Sequence, residues 1–181
     1  AIEAILAAGY PFDGCTNEAV SGALVQLSSY ACTGWILGEE SSVDQTFDST
    51  EQVLVNLYLQ SGGRLFYSGA EVGWDLDWLG SAADRSFYEN ALGADYVADD
   101  AGVYGTQAET TGPLAPLAAM TFDNGSAGIN NIDYPDVSQP SASVIGGLTV
   151  RRYSNGLGAA VLRGGGKAVT LGAIAEIEDG Q

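Results

Sequence analysis

Apolar positions recur at helical spacing in the first half of the chain and give way to strand-like runs toward its end. Ile2, Ile5 and Leu6 share one face of a helix expected over residues 1–9, which Gly9 stops. Thr16 caps a second helix, expected over residues 16–28, with Ala19, Val20, Ala23, Leu24 and Leu27 facing a core. The run Trp35-Ile36-Leu37 follows, and an uninterrupted apolar strand after a helix suits a parallel sheet covered on both faces. The unit then repeats. Ser49-Thr50-Glu51-Gln52 reads as a capping box, and Val53, Leu54, Leu57 and Tyr58 continue at helical spacing to Ser61-Gly62-Gly63. Arg64-Leu65-Phe66-Tyr67-Ser68 is the next strand, residues 81–92 the next helix, and Tyr96-Val97-Ala98 a short strand.

From residue 99 to 143 the pattern loosens into Gly, Pro, Asn and Asp, with turns at Asp123-Asn124-Gly125 and Tyr134-Pro135-Asp136. A loop of that length is uncommon in a compact domain, so short strands are expected within it. Three strands close the chain, at 148–153, 158–163 and 167–172, with hairpin turns at Asn155-Gly156 and Gly164-Gly165-Gly166. This rhythm predicts one α/β domain over residues 1–181. Its expected form is a three-layer, mostly parallel, doubly wound sheet of flavodoxin-like type with a C-terminal antiparallel hairpin extension.

Composition narrows the function classes. With 181 residues and 46% hydrophobic content the chain can bury a core. Its 23 acidic and 6 basic residues give a formal charge of −17, which repels phosphate backbones, so no nucleic-acid partner is expected. No apolar run reaches the length that spans a bilayer, so membrane insertion is not expected either. Such acidity suits an extracellular or cell-surface setting, and it also attracts cations such as calcium. The start at Ala1 suggests a processed form or a fragment. Cys15 and Cys32 are expected to be free and mostly buried thiols, because a helix between them would hold their Cα atoms about 20 Å apart.

Gly69-Ala70-Glu71-Val72-Gly73, between a strand and a helix, has the G-x-nucleophile-x-G spacing of a strand-to-helix elbow. Serine or cysteine there needs a base, usually histidine; this chain has glutamate at that position and no histidine anywhere. In open α/β sheets ligands bind beyond the carboxyl ends of the strands, where Glu39, Glu40, Glu71, Asp75 and Asp77 are expected. Three readings follow. The five carboxylates could form a hard-cation site, with calcium the first choice and no other cofactor expected. Glu71 with Glu39 or Glu40 could form an acid/base pair of glycoside-hydrolase type. Or Glu71 could simply accept backbone N–H bonds at the helix start. Trp74 and Trp78 suit either stacking on sugar rings or packing in a core. Arg151, Arg152 and Arg163 suit ion pairs with acidic loops or an anion, and Asn124-Gly125-Ser126 fits the glycosylation sequon.

Several separated stretches carry a resemblance: Asn17-Glu18-Ala19-Val20, Trp35-Ile36-Leu37-Gly38-Glu39-Glu40-Ser41, residues 62–77, residues 96–104, and Leu171-Gly172 onward to Glu176. In this order they resemble the class I glutamine amidotransferase-like superfamily, in particular the domains appended to large secreted bacterial proteins, some labelled xanthan lyase or golvesin-like. The resemblance implies a cysteine at position 71 and a late His-x-Glu motif, which falls on Ile174-Ala175-Glu176. Only Glu176 is retained, so the inherited acyl transfer is not expected. What the resemblance implies instead is a catalytically degenerate accessory or structural module of an exported protein, taking part in extracellular assembly as a homo-oligomer or with other chains. It further implies that the family's opening strand is missing, leaving a slot that another polypeptide fills. The alternatives are a carboxylate-dependent polysaccharide hydrolase centred on Glu71, and a carbohydrate- or cation-binding module.

Overall fold

The computed structural model describes residues 2–122, 132–165 and 168–171. Helix α1 (Ile2–Ala7) leaves Ile5 and Leu6 exposed at 39% and 59%. Helix α2 covers only Asn17–Ser21, not residues 16–28. The chain breaks out of the helix at Ala23, whose φ of 59° is left-handed, and a 3₁₀ turn at Leu27–Ser29 follows. Val20 and Leu27 are buried as their spacing predicts, whereas Leu24 is 84% exposed. The short helix also changes the setting of the two cysteines. Both are free, but both are exposed, which corrects the expectation of burial.

The longest helix, α3 (Ser49–Gln60), is opened by Asp48 and not by Ser49. The Asp48 carboxylate accepts the N–H groups of Thr50 and Glu51 at 2.7 and 2.8 Å, and Glu51 accepts the Asp48 N–H at 2.9 Å. An aspartate one residue before Ser49 reaches the same orphan amides with a charged oxygen, so the capping box shifts by one position. Glu51, Gln52, Val55, Tyr58 and Leu59 form the buried stripe, while Val53 and Leu57 point outward. The Glu51 side chain also accepts from Asn17 Nδ2 at 2.9 Å, tying α2 to the start of α3.

Strands β1 (Cys32–Gly38) and β2 (Arg64–Gly69) pair in parallel across the α3 crossover. Beyond them lie β3 (Ala94–Ala98), β4 (Gly105–Ala108), β5 (Met120–Thr121), β6 (Val137–Pro140), β7 (Leu148–Tyr153), β8 (Gly158–Leu162) and β9 (Ala168–Leu171). The main sheet has the order β1-β2-β9-β8-β7-β4-β5, and β3 pairs with β6 in a separate antiparallel ribbon. Among the described residues only β1–β2 and β2–β9 are parallel; the other ladders of the main sheet are antiparallel.

The expected three-layer, mostly parallel, doubly wound sheet is therefore overturned. Parallel pairing requires a crossover, usually helical, between successive strands. Among the described residues no helix follows Leu92, and turns such as Asn155-Gly156 bring each new strand back antiparallel. The first strand is corrected as well: β1 lies at an edge and alternates, with Trp35 and Leu37 buried and Ile36 43% exposed, so it is not covered on both faces.

Among the described residues two apolar cores result. The larger joins Trp35, Phe47, Val55, Tyr58, Tyr67, Val72, Leu76 and Phe87, with Phe47 in ring contact with Trp35, Tyr67 and Phe87. The smaller gathers Ala70, Phe122, Ile132, Val137, Tyr153 and Ala159 under the antiparallel half of the sheet. Residues 70 and 72 thus belong to different cores, and the turn between them bridges the two.

Candidate functional site

The residue pattern that suggests an elbow folds as one: β2 ends at Gly69 and helical backbone begins at Val72, continuing as a π-helical segment at Trp74–Leu79. Ala70 is strapped on both sides. Its N–H donates to Gly38 O at 3.0 Å, and its carbonyl accepts from Asp136 N at 2.9 Å. Gly73 is required by close approach, since a Cβ there would lie 2.9 Å from the Tyr88 hydroxyl, 3.1 Å from Asp136 Oδ2 and 3.2 Å from Tyr96 Cδ2.

The amides at this helix start are taken by Asp136 and not by Glu71. Asp136 Oδ2 accepts from Gly73 N at 2.6 Å and from Trp74 N at 3.1 Å. The residue is 1% exposed, and its second oxygen, Oδ1, is buried without a hydrogen-bond partner. Burial pushes this carboxyl well above the usual carboxylate range; the two amides pull it down, while the charges of Glu71 and Asp99 raise it further. Around it, Tyr88 is fully buried and shares a 3.0 Å hydrogen bond with Ser138, and the Tyr153 hydroxyl donates to Asp136 O at 2.8 Å. The Tyr96 phenol is pushed up to about 12, by burial first and then by Asp136, Asp99 and Glu71. Burial is the first cause in each case, and it favours the protonated form of the Asp136 carboxyl and of the Tyr88 and Tyr96 phenols.

The five carboxylates expected at one rim are divided among separate tasks. Asp75 Oδ2 accepts from the Thr46 N–H and hydroxyl at 2.9 and 2.8 Å. Asp77 Oδ2 accepts from Tyr96 N at 2.8 Å, fixing the π-helical segment to β3. Glu39 is exposed, and Glu71 is half-buried in the elbow. Glu40 is raised by burial and by Glu51, Asp44 and Glu18, so its neighbours lie at the α2–α3 junction. Among the described residues no group of three or more His, Cys, Asp or Glu side chains could hold a metal ion. The calcium reading of Glu39, Glu40, Glu71, Asp75 and Asp77 thus finds no assembled ligand set there. Glu176, Ile174 and the sequon Asn124-Gly125-Ser126 lie outside the described residues.

Trp74 and Trp78 stack at a centroid distance of 6.2 Å, and Tyr96 lies 6.2 and 6.1 Å from the two rings. At these separations the three rings fill the space between them, so they pack as a cluster and do not enclose a cage. Trp78 keeps 60% of its surface exposed while Trp74 is half-buried. The pair therefore divides between the two readings, with Trp74 packed and Trp78 presented to solvent.

A groove of about 330 Å³ opens between the start of α3 and the start of α4 (Ala82–Ser86), lined by Asp48, Asp75 and Asp84 among others and by none of the three rings. Each of these carboxylates already accepts protein hydrogen bonds. Asp84, for example, takes Gln52 Nε2 at 2.7 Å and Ser81 N at 2.7 Å. Of the three arginines singled out in the sequence, Arg152 pairs with Glu109, Arg163 donates to Asn90 O at 3.1 and 3.2 Å, and Arg151 is buried.

Asp136 is the residue that sequence reading missed as a site member. It stands in Tyr134-Pro135-Asp136, which reads as a surface turn, and only the start of β6 at Val137 hints that the backbone dives inward there. No protein-family model matches the chain, and no curated protein matches it. Among the described residues, no helix is long and apolar enough to cross a membrane.

Proposed function

We propose that the chain is a catalytically degenerate amidotransferase-like module that serves an exported protein as an accessory and assembly part. The observation that carries this reading is the occupation of the elbow amides by Asp136. An elbow that stabilises a developing oxyanion uses the N–H of the residue after the nucleophile, here Val72, at a helix start whose positive end is left open to the reacting oxygen. Here a side chain of the same polypeptide takes the N–H groups of Gly73 and Trp74. Glu71 occupies the nucleophile position, and the chain contains no histidine to serve as base. The pairing of β9 beside β2, with Leu171 opposite Ser68, supports the resemblance, because the late strand then runs toward the same rim as the elbow.

The assembly half of the proposal rests on β1. It is a seven-residue edge strand without charge or proline, and Ile36 is exposed on it. Natural edges are usually blunted by charges or proline, and an unblunted one is a template for strand addition.

The catalytic half is tested by ammonia release from glutamine and by hydrolysis of a polysaccharide panel, comparing wild type with Glu71→Gln. No turnover by either protein is expected. Turnover that Glu71→Gln abolishes would overturn the proposal in favour of a carboxylate-dependent hydrolase. For assembly, sedimentation across a concentration series should show association that Ile36→Lys weakens. A wild type that remains monomeric at every concentration removes self-assembly from the reading.

A further inference from the structure

Arg151 is 1% exposed, and it lies on β7 between two register irregularities of the β7–β8 ladder, one at Thr149/Arg151 and one at Arg151/Arg152. The irregularity breaks the usual alternation, since Val150 and Arg151 are both buried in succession. The backbone is thus distorted so that a guanidinium faces inward. Its three hydrogen bonds all go to uncharged oxygens: Nε to Thr106 Oγ1 at 3.1 Å, Nη2 to Thr106 O at 3.2 Å, and Nη2 to Ala118 O at 3.1 Å. Its remaining nitrogen, Nη1, is buried without a hydrogen-bond partner.

The chain does not lack acids, with 23 of them against 6 basic residues. Glu109 lies close by, donating its N–H to Val150 O at 3.1 Å, yet its carboxylate pairs with the more exposed Arg152. Among the described residues that is the only ion pair. A guanidinium does not shed its proton, and an interior charge without a counter-charge costs several kcal/mol in general. Among the described residues no carboxylate pairs with Arg151, and water could complete the hydrogen bonds of Nη1 but would supply no counter-charge. The burial of the side chain restricts any counter-ion to something small.

We propose that Nη1 of Arg151 binds a small monovalent anion of halide type, held between β4, β7 and the segment that carries Ala118. The site is independent of the elbow and of the function proposed for it.

The test compares wild type with Arg151→Met in sodium chloride and in sodium gluconate at matched ionic strength, so that screening of the −17 charge is the same in both. The melting temperature of wild type should rise by roughly 3–6 °C for each tenfold increase in chloride above its dissociation constant, relative to gluconate. Arg151→Met should melt alike in the two salts. In gluconate it should be at least as stable as wild type, because a similar-sized apolar side chain removes an uncompensated charge. Crystals of wild type soaked in bromide should show an anomalous peak within hydrogen-bond reach of Nη1, a readout that stands even where the variant fails to fold. Identical melting of wild type in chloride and gluconate overturns the proposal. So does a chloride response retained by Arg151→Met, or bromide found on the surface as an adventitious ion only.

Discussion

Asp136 Oδ2 lies 2.6 Å from the amide nitrogen of Gly73, a residue 63 positions earlier in the chain. This contact fastens the elbow to β6, and the Tyr153 hydroxyl secures the same residue from β7 through its carbonyl. One aspartate therefore links the parallel half of the sheet, the π-helical segment and the antiparallel half. Of the residues next to these contacts, Val72 belongs to the larger apolar core and Ala70, Val137 and Tyr153 to the smaller.

Removing the Asp136 side chain leaves two helix-start amides without an acceptor. Asp136→Ala should lower stability by roughly 2–4 kcal/mol, whereas Asp136→Asn keeps an oxygen for both amides and should stay within about 1 kcal/mol of wild type. Equilibrium denaturation in urea distinguishes the two. Equal losses in both variants would mean that the amides are not what Asp136 serves.

Stability should fall as pH rises from the acid range toward neutral. Asp136 is raised well above its ordinary value, by burial first, and Glu51 and Glu40 are raised by burial as well. A carboxyl whose folded pKa exceeds its unfolded value binds its proton more tightly in the native state. Its contribution is fully present below the unfolded value of about 4 and is lost as pH rises through the folded value. Asp84 works in the opposite sense: burial raises it, but hydrogen bonds from Gln52 and Ser81 outweigh that and hold it low. Melting curves from acid to neutral pH at constant high salt measure the balance. Asp136→Asn should flatten the decline, and a slope identical to that of wild type would remove Asp136 as its source.

The capping box is assigned to Asp48 by geometry and not by composition. Asp48→Ala should cost about 1–2 kcal/mol, while Ser49→Ala, at the first helical position, should change stability by less than about 0.5 kcal/mol. Thermal denaturation of both variants checks this, and a larger loss for Ser49→Ala would restore the register expected from sequence.

Cys15 and Cys32 should both react with a thiol reagent in the native protein, since both are exposed and free. A titration giving two thiols per chain without denaturant is the expected result. Thiols that react only after unfolding would show them to be buried.

The sequence by itself determined what is local. Gly69 to Gly73 marks the strand-to-helix turn by spacing, the β-branched runs near the end mark strands, and Asn155-Gly156 marks a hairpin, because turn chemistry and side-chain period act between near neighbours. The absence of histidine and the glutamate at position 71 are likewise read without any coordinates. Tertiary structure alone decided the pairing order, in which β9 inserts between β2 and β8 and turns an expected parallel sheet into a mixed one. It also decided that Asp136, rather than Glu71, faces the elbow amides, and that Arg151 is buried while Arg152 is paired. Local rules carry no information on strand order or on which charge is taken out of water. Those outcomes depend on packing between residues distant in sequence, and a buried aspartate in a Tyr-Pro-Asp segment looks the same as one in a surface turn.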